Sequence, residues 1–201
     1  SILVLGHSRD HKGEKFSSVK YMLTVPDLSE VRLSGNGDVF VKPMNVSDLL
    51  ISVEGSGDVK VFELTAENVR VRVAGSGDIK IAQLSSPILD LMVSGSGDIA
   101  IGKLEADAVE ATISGSGDIK VEEATKAASA IDINIIGGGG VNLSPLAADS
   151  AEINIIGSGD ARVGEVLTLD VNIIGSGDIY YAGDPEIDPT ILGSGDLNRQ
   201  R

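Results

Sequence analysis

GSGDVKV, residues 55–61, returns as GSGDIKI at 75–81, GSGDIAI at 95–101 and GSGDIKV at 115–121. The first glycine of the motif falls at Gly35, Gly55, Gly75, Gly95, Gly115, Gly137, Gly157, Gly175 and Gly193, at intervals of 20, 20, 20, 20, 22, 20, 18 and 18 residues. A fixed interval of this kind is the mark of a repeat architecture. Nine copies without an intervening linker make one array.

Around each motif the apolar residues alternate. Before Gly75 stand Val69, Val71 and Val73, after it Ile79 and Ile81, and then Leu84. The neighbouring units give Leu49, Ile51, Val53, Val59, Val61 and Leu64, and Leu89, Leu91, Val93, Ile99, Ile101 and Leu104. A period of two with one apolar side describes strands that bury one face. Each unit therefore reads as strand, Gly-Ser-Gly corner, strand and a polar return such as Glu63–Asn68.

Two short strands cannot bury their apolar side alone, but coils stacked on one another build a continuous core. The expected fold is all-β, a single-stranded parallel β-helix of about nine coils of about 20 residues. Right-handed coiling follows from the preference of parallel crossovers. One domain is expected over 1–201, with an irregular N-terminal coil at 1–30, regular coils at 31–197 and a tail at 198–201. In the 22-residue interval, Glu122 to Asp132 reads as a bulged loop or a single helical turn.

Glycine suits a sharp corner between stacked neighbours, either through positive φ or through close backbone approach. Gly55 and Gly57, Gly75 and Gly77, Gly95 and Gly97, and Gly115 and Gly117 are the expected structural corners. The aspartate after each pair is expected to hold the turn by accepting local backbone N–H groups. Stacked one coil apart, Asp58, Asp78, Asp98 and Asp118 would repel, and Lys60, Lys80, Lys120 and Arg162 two residues after a motif aspartate supply a neutralising column. Where the motif becomes GGGGVN at 137–142, Gly140 and Asn142 replace both charges together.

The same four aspartates are the candidates for calcium, because carboxylates in glycine-rich corners bind it in β-rolls. Those rolls place Asp two positions after the last glycine and twice per coil, which this motif does not. No cofactor and no metal are expected. His7 and His11 have the i, i+4 spacing of a helical metal site, but glycines and charges around them read as a loop.

Composition narrows the function. With 30 acidic and 16 basic residues the chain carries a formal charge of −14, which disfavours nucleic acid and anionic lipid as partners. No apolar run is long enough to span a bilayer, so no membrane insertion is expected. The chain has no cysteine, and aromatic residues are 3% of it, so thiol chemistry is excluded and sugar-stacking aromatics are scarce. Its carboxylates form a ladder where a glycosidase needs a convergent acid and base, so no catalytic residues are expected.

One surface changes character halfway along. The position before the corner, outward by parity, runs Ser34, Glu54, Ala74, Ser94 and Ser114, and then Ile136, Ile156, Ile174 and Leu192. Two residues earlier the later coils carry Asn134, Asn154 and Asn172. If this aliphatic stripe is exposed it marks an interface, and a homodimer is one expectation.

The repeated SGSGDI, the segment VPDLSEVRLSGNGDVFV from residue 25 and the closing GSGDIYYAGDPEIDPTILGSGDL resemble the putative auto-transporter adhesin, head GIN domain family, from about Lys20 to Leu197. The resemblance implies a bacterial β-helical domain exported to the periplasm, the outer membrane surface or the exterior, with no catalytic residues. Family members usually carry further N-terminal strands and an export signal, whereas this chain opens as a strand already under way. Two functions are expected from these features. One is a non-catalytic adhesin-like module that recognises a glycan or protein. The other is a structural, self-assembling β-helix of the envelope.

Overall fold

The structure is a computed structural model that describes residue 3, residues 20–25 and residues 27–200. Among the described residues every regular element is a strand and every pairing is parallel. The chain winds as a β-solenoid of about eight full turns, close to the nine coils read from the motif. Nine corner glycines bound those eight turns.

Two walls enclose the core. One stacks the strands that run into the corners, with Val53, Val73, Val93, Ile113, Ile135, Ile155 and Ile173 in one column. The other stacks the strands that leave them, with Val59, Ile79, Ile99, Ile119, Val141, Ala161 and Ile179 in another. These side chains are at most 1% exposed, and each Val, Leu or Ile so buried contributes about 1.5–3 kcal/mol. Such columns give a thin solenoid a core that no single coil has.

The return is more regular than its polar sequence suggests. Strands Val59–Gly75 and Ala161–Gly175 run continuously from one wall around to the other, and Met44–Gly55 carries the return into the second wall. Within Glu63–Asn68, Leu64 and Ala66 still point inward, and small residues Ser86, Ala106 and Ala128 occupy the same buried side in later coils. Ser86 is 1% exposed, and its hydroxyl donates to the Ile88 carbonyl at 2.8 Å. A hydroxyl thus fits an apolar column without an unpaired polar atom.

The 22-residue interval places its two extra residues in the return. Register steps by 20 at Leu104↔Ala124 and by 22 at Val109↔Ile131. The chain bends at Thr125 and Lys126 between strands Ile119–Ala124 and Ala128–Gly137, so this is the bulged loop and no helical turn forms. Lys126 ties the loop to the previous coil through an ion pair with Asp107, and that bond is the leading cause raising the Lys126 pKa.

Candidate functional site: the corners and the outer faces

The two glycines of each corner do different work. Gly75 has φ +144°, a region where a side chain is strained, and its carbonyl neighbour Gly55 accepts N–H groups from both Ser76, at 2.8 Å, and Gly77, at 3.0 Å. Gly77 does not share that positive φ; a Cβ there would lie 2.1 Å from the Gly57 carbonyl oxygen. The second glycine is required by the approach of stacked backbones alone.

That approach also decides what the aspartates bind. Asp58 Oδ1 accepts the backbone N–H of Asp78 at 3.1 Å, Asp78 that of Asp98 at 3.1 Å, and Asp98 that of Asp118 at 2.8 Å. The expected local turn bond is replaced by a bond between coils, because the glycine corners bring the next coil's amide nearest to the carboxylate. Asp118 continues the series to Gly140 at 2.7 Å, Gly140 offers no carboxylate, and the series resumes from Asp160 to Asp178 at 3.0 Å. One oxygen of each of Asp58, Asp78, Asp98 and Asp118 is thereby committed to the fold. Among the described residues no three His, Cys, Asp or Glu side chains group to hold a metal. His7 and His11 lie outside the described residues.

The basic column neutralises these aspartates only in part. Lys80 pairs with Asp78 at 3.3 Å and Arg162 with Asp160 at 4.0 Å. Lys60 instead sits 5.6 Å from the centroid of the Phe40 ring, and Lys120 reaches Glu122 at 3.5 Å. Hydrogen bonding to backbone, more than ion pairing, holds the acidic column together.

The aliphatic stripe faces solvent. Ile136, Ile156, Ile174 and Leu192 are 55%, 49%, 43% and 62% exposed and stack in unbroken register. The asparagines beside them do not bond to one another. Asn134 donates to Asp132 at 2.7 Å and Asn154 to Glu152 at 3.2 Å, each within its own strand.

Those acceptors belong to a column that escapes inspection of the motif. Asp90, Glu110, Asp132, Glu152, Asp170 and Asp188 all stand five residues before a corner glycine and stack in register. A fixed offset from the corner is the sequence signal that reveals it. Arg70 and Arg72 approach Asp90 at 3.8 and 4.0 Å, whereas no ion pair reaches the other five among the described residues. Burial, and then the charge of Glu152, push the Asp132 pKa above its ordinary 3.8, against a lowering by the Asn134 hydrogen bond.

Two open depressions, about 520 and 610 Å³, occur elsewhere. Asp27 and Glu67 are the titratable residues of the first, and Glu165 and Arg199 those of the second. The outer faces, with residues repeating at about 4.8 Å, are the more distinctive feature of this surface.

A β-solenoid that presents regular columns on its outer faces belongs to the class of stacked-repeat proteins. The sequence matches the family described as putative auto-transporter adhesin, head GIN domain, over residues 2–131 and 82–185, and the chain belongs to that family. The family's description marks an exported or surface protein and names adhesion, with no reaction. A crystal structure of a putative adhesin from Parabacteroides distasonis superposes with a TM-score of 0.79 at 21% identity, covering 89% of this chain and 94% of that one. A putative lipid binding protein from the same organism gives a TM-score of 0.62 at 30% identity, covering 87% of this chain and 62% of that one. No curated protein matches the chain. No helix of the described residues is long and apolar enough to cross a membrane.

Proposed function

We propose that this chain is a non-catalytic recognition module of the bacterial envelope, at the periplasm, the outer membrane surface or the exterior, and that it binds a protein or glycan through its C-terminal sheet face. The exposed register of Ile136, Ile156, Ile174 and Leu192 carries this reading. Four stacked aliphatic side chains on a rigid wall offer apolar area at little ordering cost, each worth about 1.5–3 kcal/mol if fully covered, before the cost of association. The carboxylates of the acidic column, on the far side of the asparagines, set an electrostatic preference against anionic surfaces.

The test is capture from solubilised envelope, alongside a glycan array, by the wild-type chain and by the double variant Ile156→Ser, Ile174→Ser. Retention of one protein or glycan by the wild type and its loss in the folded variant are expected. Equal capture by both would remove the stripe from the binding surface.

A further inference from the structure

Eight of the nine corners are tied to the coil behind them. The N–H of the residue after the first glycine donates to the first-glycine carbonyl one coil back, as Ser56 does to Gly35 at 2.9 Å and Ser76 to Gly55 at 2.8 Å. In several corners the second glycine adds its own N–H to the same carbonyl, Gly57 at 3.1 Å and Gly77 at 3.0 Å.

The first corner, at residues 35–38, differs in two ways. Among the described residues no carbonyl accepts the N–H of Asn36 or of Gly37, and a Cβ on Gly37 would meet nothing within 4 Å. Its tip also carries an amide side chain: Asn36 stands where seven corners have serine and one has Gly138. Asn36 and Gly37 are both exposed.

Asparagine before glycine is the pair in which a side-chain amide and the next backbone nitrogen meet with least hindrance, because glycine has no Cβ in the way and a freer backbone. Of the eight asparagines in the chain, Asn36 alone precedes glycine. Asn45, Asn68, Asn134, Asn154 and Asn172 lie inside strands and precede valine or isoleucine, whose branched and stiff side chains shield the nitrogen.

From the untied nitrogen and the amide beside it, we infer that Asn36–Gly37 is a self-modification site, at which water converts the amide to a carboxylate and the first coil loosens. The Gly37 nitrogen gives up its proton to hydroxide and bonds to Cγ of Asn36. The side-chain nitrogen leaves as ammonia, taking a proton from water and restoring the hydroxide. Water then opens the cyclic imide that remains. Breaking the bond from nitrogen to Cγ gives aspartate, and breaking the bond from nitrogen to the main-chain carbonyl carbon gives isoaspartate, whose chain runs through Cβ and Cγ. The balance consumes one water and releases one ammonia.

The isoaspartate product lengthens the corner backbone by one methylene carbon. That carbon enters between the Gly35 carbonyl, which holds Ser56 and Gly57, and the Asp38 carboxylate, which accepts the Asp58 N–H at 3.4 Å. A longer link between these two ties puts them out of register. Coils are held by their nearest neighbours, so the loss stays in strands Glu30–Gly35 and Val39–Val41 and spares the coils beyond. It uncovers the wall beneath, where Ile51 and Val53 are fully buried in the intact protein.

The test follows the purified chain through incubation in mildly alkaline buffer, by mass spectrometry of the peptide that contains Asn36 and by amide hydrogen exchange. Wild type is compared with Asn36→Ser, and with Asn36→Ser combined with Ser76→Asn, which moves the pair to an exposed tip whose Gly77 N–H is tied to Gly55. Ser96→Asn repeats the comparison at a second tied tip, where Gly97 donates to Gly75 at 3.1 Å. Circular dichroism checks the fold of each chain at the start. Asn36 is expected to gain the mass difference between NH2 and OH, and to do so roughly tenfold faster than an asparagine at a tied tip, where the nitrogen must first leave its hydrogen bond. As it converts, the amides of Leu50, Ser56 and Gly57, which donate to the first coil, should lose protection while those of Ser76 and Gly77 keep theirs. Asn36→Ser should show neither change over the same period. No conversion at Asn36, or conversion at the tied tips as fast as at Asn36, overturns the site. Conversion to isoaspartate with protection unchanged at Leu50, Ser56 and Gly57 overturns the loosening of the first coil.

Discussion

Oδ1 of Asp98 accepts the backbone N–H of Asp118, 2.8 Å away and one coil on. The repeated aspartate is therefore a clamp between coils more than a cap within one. Asp98→Ala removes the acceptor and leaves that N–H unpaired, at a cost of about 1–2 kcal/mol, partly offset by relief of repulsion along the column. Asp98→Asn keeps an oxygen at the same place and loses the charge, so its stability should stay near wild type. Denaturant midpoints of the two variants, with unchanged m-values, check the difference. Equal loss in both would assign the effect to charge.

The glycine motif makes a sharper distinction, because two copies of it differ in their surroundings. A Cβ on Gly77 would meet the Gly57 carbonyl oxygen at 2.1 Å, whereas a Cβ on Gly37 meets nothing within 4 Å among the described residues. Gly77→Ala should destabilise by at least about 2 kcal/mol, since backbone must move to admit the methyl. Gly37→Ala should change stability by less than about 1 kcal/mol. Similar losses at both positions would show that backbone conformation, and not stacking, restricts the motif.

The 20-residue period and the alternation around Gly75 were enough to place the core, and the parity that put Ile136 and Ile156 outside agrees with their exposure. Local pattern could not show what depends on stacking. The aspartate's bond partner lies 20 residues away, and the close approach that forbids a side chain at Gly77 exists only between coils. The inward side of the return escaped because Ala66, Ser86 and Ala106 are too small and too mixed to stand out as a hydrophobic column. The acidic column was present at a constant offset, but its members vary between Asp and Glu and belong to no motif.

Calcium tests the corners in another way. Each motif aspartate from Asp58 to Asp118 already spends one oxygen on the next coil's amide, and a calcium ion needs six to eight oxygen ligands. Millimolar calcium should leave the melting temperature within about a degree of that in chelator. A site that binds only the folded chain would raise it by mass action. A large, chelator-reversible gain would make the aspartates ligands.

Asp132 gives the face a pH dependence of defined sign. Its carboxyl is partly buried and faces Glu152 one coil on, and both effects disfavour its charged form, burial the more strongly. A folded-state pKa above the unfolded value of about 3.9 means that folding favours the proton. The favourable contribution is full below the unfolded pKa and is lost as pH rises through the raised folded value, so at neutral pH the charged Asp132 strains the column. Asp132→Asn removes that charge while leaving an oxygen for the Asn134 amide, which donates to Asp132 at 2.7 Å. The variant should therefore melt above wild type at pH 7, and the gap should close as the pH is lowered through the range in which wild-type Asp132 takes up its proton. Thermal melts of both proteins across that range check the sign. A gap that widens on acidification would mean that the carboxylate is stabilised where it stands, and that the column carries its charge without strain.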